Sequence, residues 1–110
     1  MIEDTLAKIE ARLGKSGVLA KEQRTELLGL LSTLKTEIGE LSKTHSEQAQ
    51  SITAFTEVST HEATRRERDP QLLRLSLEGL SASVRGFETS HPKLVDIVNA
   101  ISLMLSNSGV

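Results

Sequence analysis

The chain has 110 residues and a formal charge of −2, from 13 lysines and arginines and 15 aspartates and glutamates, with neither half strongly basic. This balance argues against nucleic-acid binding through clustered phosphate contacts and against an anchor on an anionic membrane. Cysteine is absent, which excludes disulfides and cysteine-bound metals, and no apolar run reaches the roughly 20 residues of a membrane span, so we expect one cytoplasmic domain.

The first predicted helix covers residues 1–14. Its apolar residues recur at steps of four, three and four, the spacing of one helix face: Ile2, Leu6, Ile9 and Leu13. Glycines at 14 and 17 then end the helix, because glycine readily adopts the left-handed conformation at helix C-termini. The segment is charged throughout, which is unlike a secretory signal peptide.

The second predicted helix covers residues 20–61. Its apolar residues alternate steps of four and three over two heptads, as in coiled coils: Leu27, Leu31, Leu34, Ile38 and Leu41. The same register continues to Ile52 and Phe55, although residues 42–71 are rich in serine and threonine. One helix over 20–61 would be about 60 Å long. It is either a long helix whose far end needs a partner, or a helix that frays after residue 42.

This long helix also predicts a self-association interface, because its far half has no obvious cover within the chain. The expected interface residues are Leu27, Leu31, Leu34, Ile38, Leu41, His45, Ile52 and Phe55. Two interpretations of His45 stay open. It is either a solvated residue beyond the core, or part of a polar layer that fixes register or responds to pH.

The third predicted helix covers residues 70–89. Asp69 and Pro70 favour a helix start, since aspartate accepts hydrogen bonds from free backbone N–H groups and proline suits the first turn. Its apolar face carries Leu73, Leu77, Leu80, Val84 and Phe87. A neighbouring row of small residues includes Gly79, Ser83 and Gly86. A glycine within a helix costs roughly 1 kcal/mol relative to alanine, so this row either lets another helix approach closely or is a tolerated, solvated flank.

Residues 87–94, FETSHPKL, predict a corner before the next helix. Proline disfavours helical geometry at the residue before it, so the break falls at His91, and Pro92 lies in the first turn of the next helix. Ser90 or His91 would cap that helix, and Phe87 and Leu94 would pack across the corner.

The fourth predicted helix covers residues 92–108. Its apolar face is built on Leu94, Val98, Ile101 and Leu105. Gly109 and Val110 fit a C-terminal cap in which the last residue touches Leu105, so we expect an ordered, packed C-terminus.

A catalytic site at the corner would need His91 as a base and Glu88 as the acid that orients it. No serine or cysteine nucleophile with an oxyanion loop lies near them, so the corner is interpreted as structural. The three histidines are far apart in sequence, which does not favour a metal site. We therefore predict no catalytic residue, no metal and no cofactor, and a protein that is not an enzyme.

Two parts of the sequence resemble a family of short bacterial helical proteins classed as a domain of unknown function. The C-terminal part carries Phe87-Glu88, Ser90-His91-Pro92, Leu94, and Leu105-Ser106 through Gly109-Val110. The N-terminal part, TLAKIEARL followed by EQRTELLGLL, is also similar. The resemblance covers roughly residues 1–41 and 71–110 and implies a small helical protein, without assigning any catalytic residue.

The sequence as a whole predicts an all-α fold of four helices, a hairpin or bundle with a long coiled-coil-like second helix, assembled as a homodimer. The expected function is a non-enzymatic protein–protein interaction or scaffold module that binds itself, with another protein as a further candidate partner, and binds neither nucleic acid nor membrane. The alternative is a bundle that binds a small molecule or a metal, with His45, His91 and nearby acids as candidates.

Overall fold

The computed structural model of the protein describes residues 2–107. These residues form five α-helices and no strand, so the all-α prediction is confirmed. The helices are α1 (Ile2–Lys15), α2 (Lys21–Ser42), α3 (Ser46–Thr64), α4 (Pro70–Ser83) and α5 (Pro92–Asn107). The predicted cap at Gly109 and Val110 lies outside the described residues.

The predicted single helix over 20–61 is wrong, because the chain turns between Ser42 and Ser46. His45 leaves the helical conformation there, with φ −134° and ψ 64°. No glycine or proline marks this turn, which is why the sequence pattern continues through it. Turning back lets the second half of the segment pack on the first, so the fold has five helices where four were expected.

The third predicted helix also ends earlier than expected. α4 stops at Ser83 rather than near residue 89, and residues 84–91 form the connection to α5. Gly86 adopts φ 100°, a left-handed conformation that favours glycine, and its N–H donates to Glu88 Oε1 at 2.9 Å. Gly86 therefore belongs to the turn and not to the row of small residues along the helix.

α3 is the central helix and packs against all four others. Its buried residues are mostly small or polar: Ala49, Ile52, Thr53, Thr56, Ser59, Thr60, Glu62 and Ala63. Thr53 and Thr56 each donate a hydrogen bond to the carbonyl one turn back, at 2.8 and 2.7 Å. Such bonds satisfy buried hydroxyls within the helix, so a serine- and threonine-rich segment can occupy the middle of the bundle.

The remaining helices surround α3. α1 lies against α2 and α3, α2 also packs on α5, and α4 packs on α3 and α5. The buried apolar residues of all five helices form one continuous core. The radius of gyration is 12.9 Å, close to the roughly 13 Å typical of a compact domain of this length. No described helix is both long enough and apolar enough to span a bilayer.

The start of α4 follows the sequence prediction. Asp69 Oδ1 accepts hydrogen bonds from the backbone N–H groups of Gln71 and Leu72, at 3.0 and 3.2 Å, and Pro70 begins the helix. These bonds satisfy donors that a helix N-terminus otherwise leaves free. These hydrogen bonds set the residue at which α4 begins. The starting residue in turn sets which face of α4 meets α3.

Candidate functional site

Most of the predicted interface residues lie in the protein's own core. Leu27, Leu31, Leu34, Ile38, Leu41 and Ile52 are each at most 2% exposed. They are covered by α1, α3 and α5 and cannot meet a partner without unfolding. Among the predicted interface residues, only His45 and Phe55 remain at the surface.

The row of small residues on α4 faces α3. The Phe55 ring lies directly over Gly79: a Cβ atom at position 79 would be 3.0 Å from Phe55 Cζ and nearer still to Cδ1 and Cε1. Ser76 is buried, and Ser83 is half-buried with its hydroxyl donating to the Leu80 carbonyl at 2.6 Å. Close approach of a second helix is therefore the observed role of Gly79, whereas Gly86 lies in the turn.

An exposed apolar surface follows the seam between α3 and α4. We call it the α3–α4 ridge and define it by Phe55, Val58, Leu72 and Leu75, which are 39, 45, 42 and 51% exposed. Phe55 and Val58 are three residues apart on α3, as Leu72 and Leu75 are on α4, so each pair lies on one helix face. The contact of Phe55 with Gly79, one turn from Leu75, brings the two pairs side by side.

Two charged side chains lie beside this ridge. Glu57 of α3 lines a groove against α1, and Glu78 of α4 lines a groove against α5. Val58 lines the same groove as Glu57, and Glu78 follows Leu75 by three residues on α4, so both carboxylates border the ridge. Ala54 and Ala82 are exposed and extend the uncharged surface along each helix. A group of large exposed apolar side chains with polar residues at its rim is typical of a protein-binding surface.

The groove between α4 and α5 has a volume of about 890 Å³. Its apolar lining includes Leu73, Leu77 and Leu103, and Leu103 is 62% exposed. Arginines 68, 74 and 85 also line it, and Arg74 Nε lies 3.8 Å from Glu78 Oε1. The groove offers an apolar floor with basic edges, as in many small-molecule sites.

Two corners of the fold meet in an aromatic cluster that joins His45, Phe87 and His91. Phe87 contacts His45 and His91 edge to face, with ring centroids 5.4 and 5.5 Å apart, and the two imidazoles are 6.2 Å apart. Sequence analysis assigned His45 to an interface and the other two to a corner. Phe87 is half-buried and Leu94 is fully buried, whereas Ser90 and Pro92 are exposed.

The two clustered histidines do not form a metal site with their neighbours. Among residues 2–107 no group of three or more histidine, aspartate or glutamate side chains is placed to hold a metal ion. His45 Nδ1 lies 2.8 Å from Thr44 Oγ1, and His91 Nδ1 lies 3.0 Å from Ser90 Oγ. Each imidazole is thus oriented by its chain neighbour, and the cluster ties the α2–α3 turn to the α4–α5 connection.

Comparison with protein-family models, with curated proteins and with solved structures finds no match to this chain. The similarity to short bacterial helical proteins therefore stays a prediction. Functional inference for this protein consequently depends on its own surfaces.

Sequence reasoning missed three residues of the ridge: Val58, Leu72 and Leu75. They lie off the core-facing apolar rows of their helices, so the periodicity that identifies a core excludes them. The sequence did contain a signal for this surface. Large apolar residues that lie away from the core face of an amphipathic helix are not explained by the core and indicate a binding surface. Only the packing of α3 on α4 shows that these residues share one surface.

Proposed function

We propose that the protein is a non-enzymatic helical interaction module that self-associates as a homodimer through the α3–α4 ridge. The observation that carries this proposal is the grouping of four exposed, large apolar side chains along the seam between two helices. A cytoplasmic location, expected from the sequence, is part of the proposal.

A second copy of the chain is the occupant that this surface favours. In a twofold dimer the same patch meets itself, so residues near the axis face their own copies, and an apolar centre avoids a pair of like charges there. The four residues that define the ridge carry no charge, and the carboxylates Glu57 and Glu78 border it. By contrast, the groove that contains Lys8, Arg12 and Lys15 would repel its own copy.

Light scattering behind size exclusion tests the proposal. We expect the wild-type chain to have twice its 12.0 kDa mass. A charge at the centre of the ridge, Leu75→Glu or Val58→Glu, should give a folded monomer, because two desolvated carboxylates would face each other. Leu103→Glu is the matched control, since Leu103 is also exposed but lies on the α5 side.

The control decides how the result is interpreted. A wild-type monomer at millimolar concentration would overturn self-association. Dimers that persist in Leu75→Glu but dissociate in Leu103→Glu would move the interface to the α4–α5 groove. Ile52 is unsuitable for this test, since it is fully buried and its replacement would destabilise the monomer itself.

The α4–α5 groove supports the alternative function, a bundle that binds a small molecule. Its volume of about 890 Å³ lies within the range of roughly 300–1,000 Å³ usual for ligand sites. A ligand that binds only the folded state raises the melting temperature by mass action. Ligand-induced shifts that Leu103→Glu abolishes and Leu75→Glu preserves would favour this alternative.

A further inference from the structure

The groove between α1 and α3 lies apart from the α4–α5 groove and has a volume of about 750 Å³. One wall is the basic face of α1, with Lys8, Arg12 and Lys15, and the other includes His61 of α3. The spacing of four and three residues places the three α1 cations on one helix face. We infer that this groove binds a small ligand that carries several linked phosphate groups.

The basic side chains of the groove are not neutralised within the described part of the chain. Several other cations have a carboxylate within ion-pair distance, as in the pairs Lys35–Glu10, Lys43–Glu40, Arg65–Glu62 and Arg74–Glu78. Lys8, Arg12 and Lys15 have no such partner among residues 2–107. Three exposed cations on one face repel one another at short range, and a bound polyanion removes that repulsion.

The local charge is opposite to that of the whole protein. Glu57 is the one carboxylate among the groove's lining residues, against three cations, so the lining carries a net charge of +2 with His61 neutral. The whole chain carries −2. His61 Nε2 lies 3.9 Å from Glu62 Oε2, so one oxygen of the neighbouring carboxylate lies near the imidazole. The groove is therefore a local positive field on an acidic protein.

The length of the row formed by Lys8, Arg12 and Lys15 indicates the class of ligand. Lys8 and Lys15 are separated by about 10 Å along the helix axis, at about 1.5 Å per residue. A single phosphate reaches only part of that row, whereas three linked phosphates extend along most of it. A row of three cations is too short for the extended phosphate contacts that hold nucleic acid. Ala11 also lines the groove and can contact an apolar part of the ligand, and Val58 lies where the groove meets the α3–α4 ridge.

Calorimetric titration in 0.15 M NaCl tests the inference with inorganic tripolyphosphate as the probe. We expect tripolyphosphate to bind at least tenfold more tightly than orthophosphate. Arg12→Gln should weaken tripolyphosphate binding tenfold or more, and Glu57→Gln should strengthen it. Lys93→Gln on α5 is the matched control, since it removes one exposed charge elsewhere and should change the Kd less than twofold.

Three results would overturn the inference: no binding of tripolyphosphate, equal affinity for orthophosphate, or equal losses in Arg12→Gln and Lys93→Gln. Circular dichroism checks that all three variants fold, as expected for exposed positions. A parallel titration with adenosine triphosphate identifies the source of the phosphates. Tighter binding than tripolyphosphate assigns an organic polyphosphate, and equal or weaker binding assigns an inorganic one.

Discussion

The Phe55 ring occupies the space that a side chain at position 79 would need. This contact between α3 and α4 leaves no room for a methyl group on Gly79. It sets how closely the central helix approaches its neighbour, and it holds Phe55 at 39% exposure on the α3–α4 ridge. One glycine thus links the packing of the bundle to the surface proposed for self-association.

Gly79→Ala should lower the free energy of unfolding by about 1–3 kcal/mol, because the new methyl group displaces the Phe55 ring from its place against α4. The cost should appear although alanine favours a helix by roughly 1 kcal/mol over glycine. Chemical denaturation measures it. Gly29→Ala on the exposed face of α2, where a Cβ atom meets nothing within 4 Å, should instead stabilise the protein.

A smaller side chain at position 55 should relieve the clash. In a Phe55→Leu background, Gly79→Ala should cost less than in the wild type, and the difference measures the coupling of the two positions. Equal costs in both backgrounds would show that the Phe55 ring is not what position 79 contacts.

Ser59→Ala should raise the free energy of unfolding. Ser59 is 0% exposed, and its Oγ has no hydrogen-bond partner among the described residues. Removing a buried, unpaired hydroxyl recovers its desolvation cost of about 1–3 kcal/mol, less a small cavity term. Ser76→Ala is the comparison, because Ser76 is also buried but donates to the Leu73 carbonyl at 2.8 Å. A gain at position 76 equal to that at 59 would contradict this account.

The aromatic cluster should couple two corners of the fold. His45→Ala should cost about 0.5–1.5 kcal/mol in the wild type and less after Phe87→Ala, because its edge-to-face contact is then already lost. Denaturant titrations of the single and double variants give the coupling. His61→Ala, an exposed histidine outside the cluster, is the control and should change stability little. Additive costs would show that the ring contacts contribute nothing.

His91→Ala separates the corner from the proposed dimer interface. We expect a modest loss of stability with the mass in solution unchanged, because His91 contacts Phe87 and His45 and lies outside the α3–α4 ridge. Light scattering measures the mass in solution, and thermal denaturation measures the loss of stability. Dissociation of the dimer without loss of stability would place the interface at the corner instead.

Ile52→Ala distinguishes a core residue from an interface residue. Ile52 is 0% exposed within one chain, so we expect a loss of about 2–4 kcal/mol at every protein concentration. Val58→Ala at the ridge should cost the isolated chain about 0.5 kcal/mol or less. If the loss of unfolding free energy in Ile52→Ala became smaller on dilution, Ile52 would instead be an interface residue. Association makes stability depend on protein concentration.

The local start signal of α4 could be found from the sequence alone. Asp69 and Pro70 determine that start through backbone groups within three residues, and the apolar repeats of α1 and α2 identify their buried faces. These features need no knowledge of distant parts of the chain. The row of small residues on α4 was also visible in the sequence, but whether it packs closely against a helix or is a solvated flank was left open.

Only the tertiary structure decided where α3 lies and which surfaces remain free. The turn at residues 43–45 contains no glycine or proline, and its stability comes from burying Ile52 and its neighbours against the other four helices. Local periodicity cannot report that burial, because the repeat continues in phase through the turn. The meeting of His45 with Phe87 and the α3–α4 ridge follow from the same long-range packing. The local signals and buried faces of the helices are therefore predictable from the sequence, whereas long-range packing sets their arrangement and forms the candidate site.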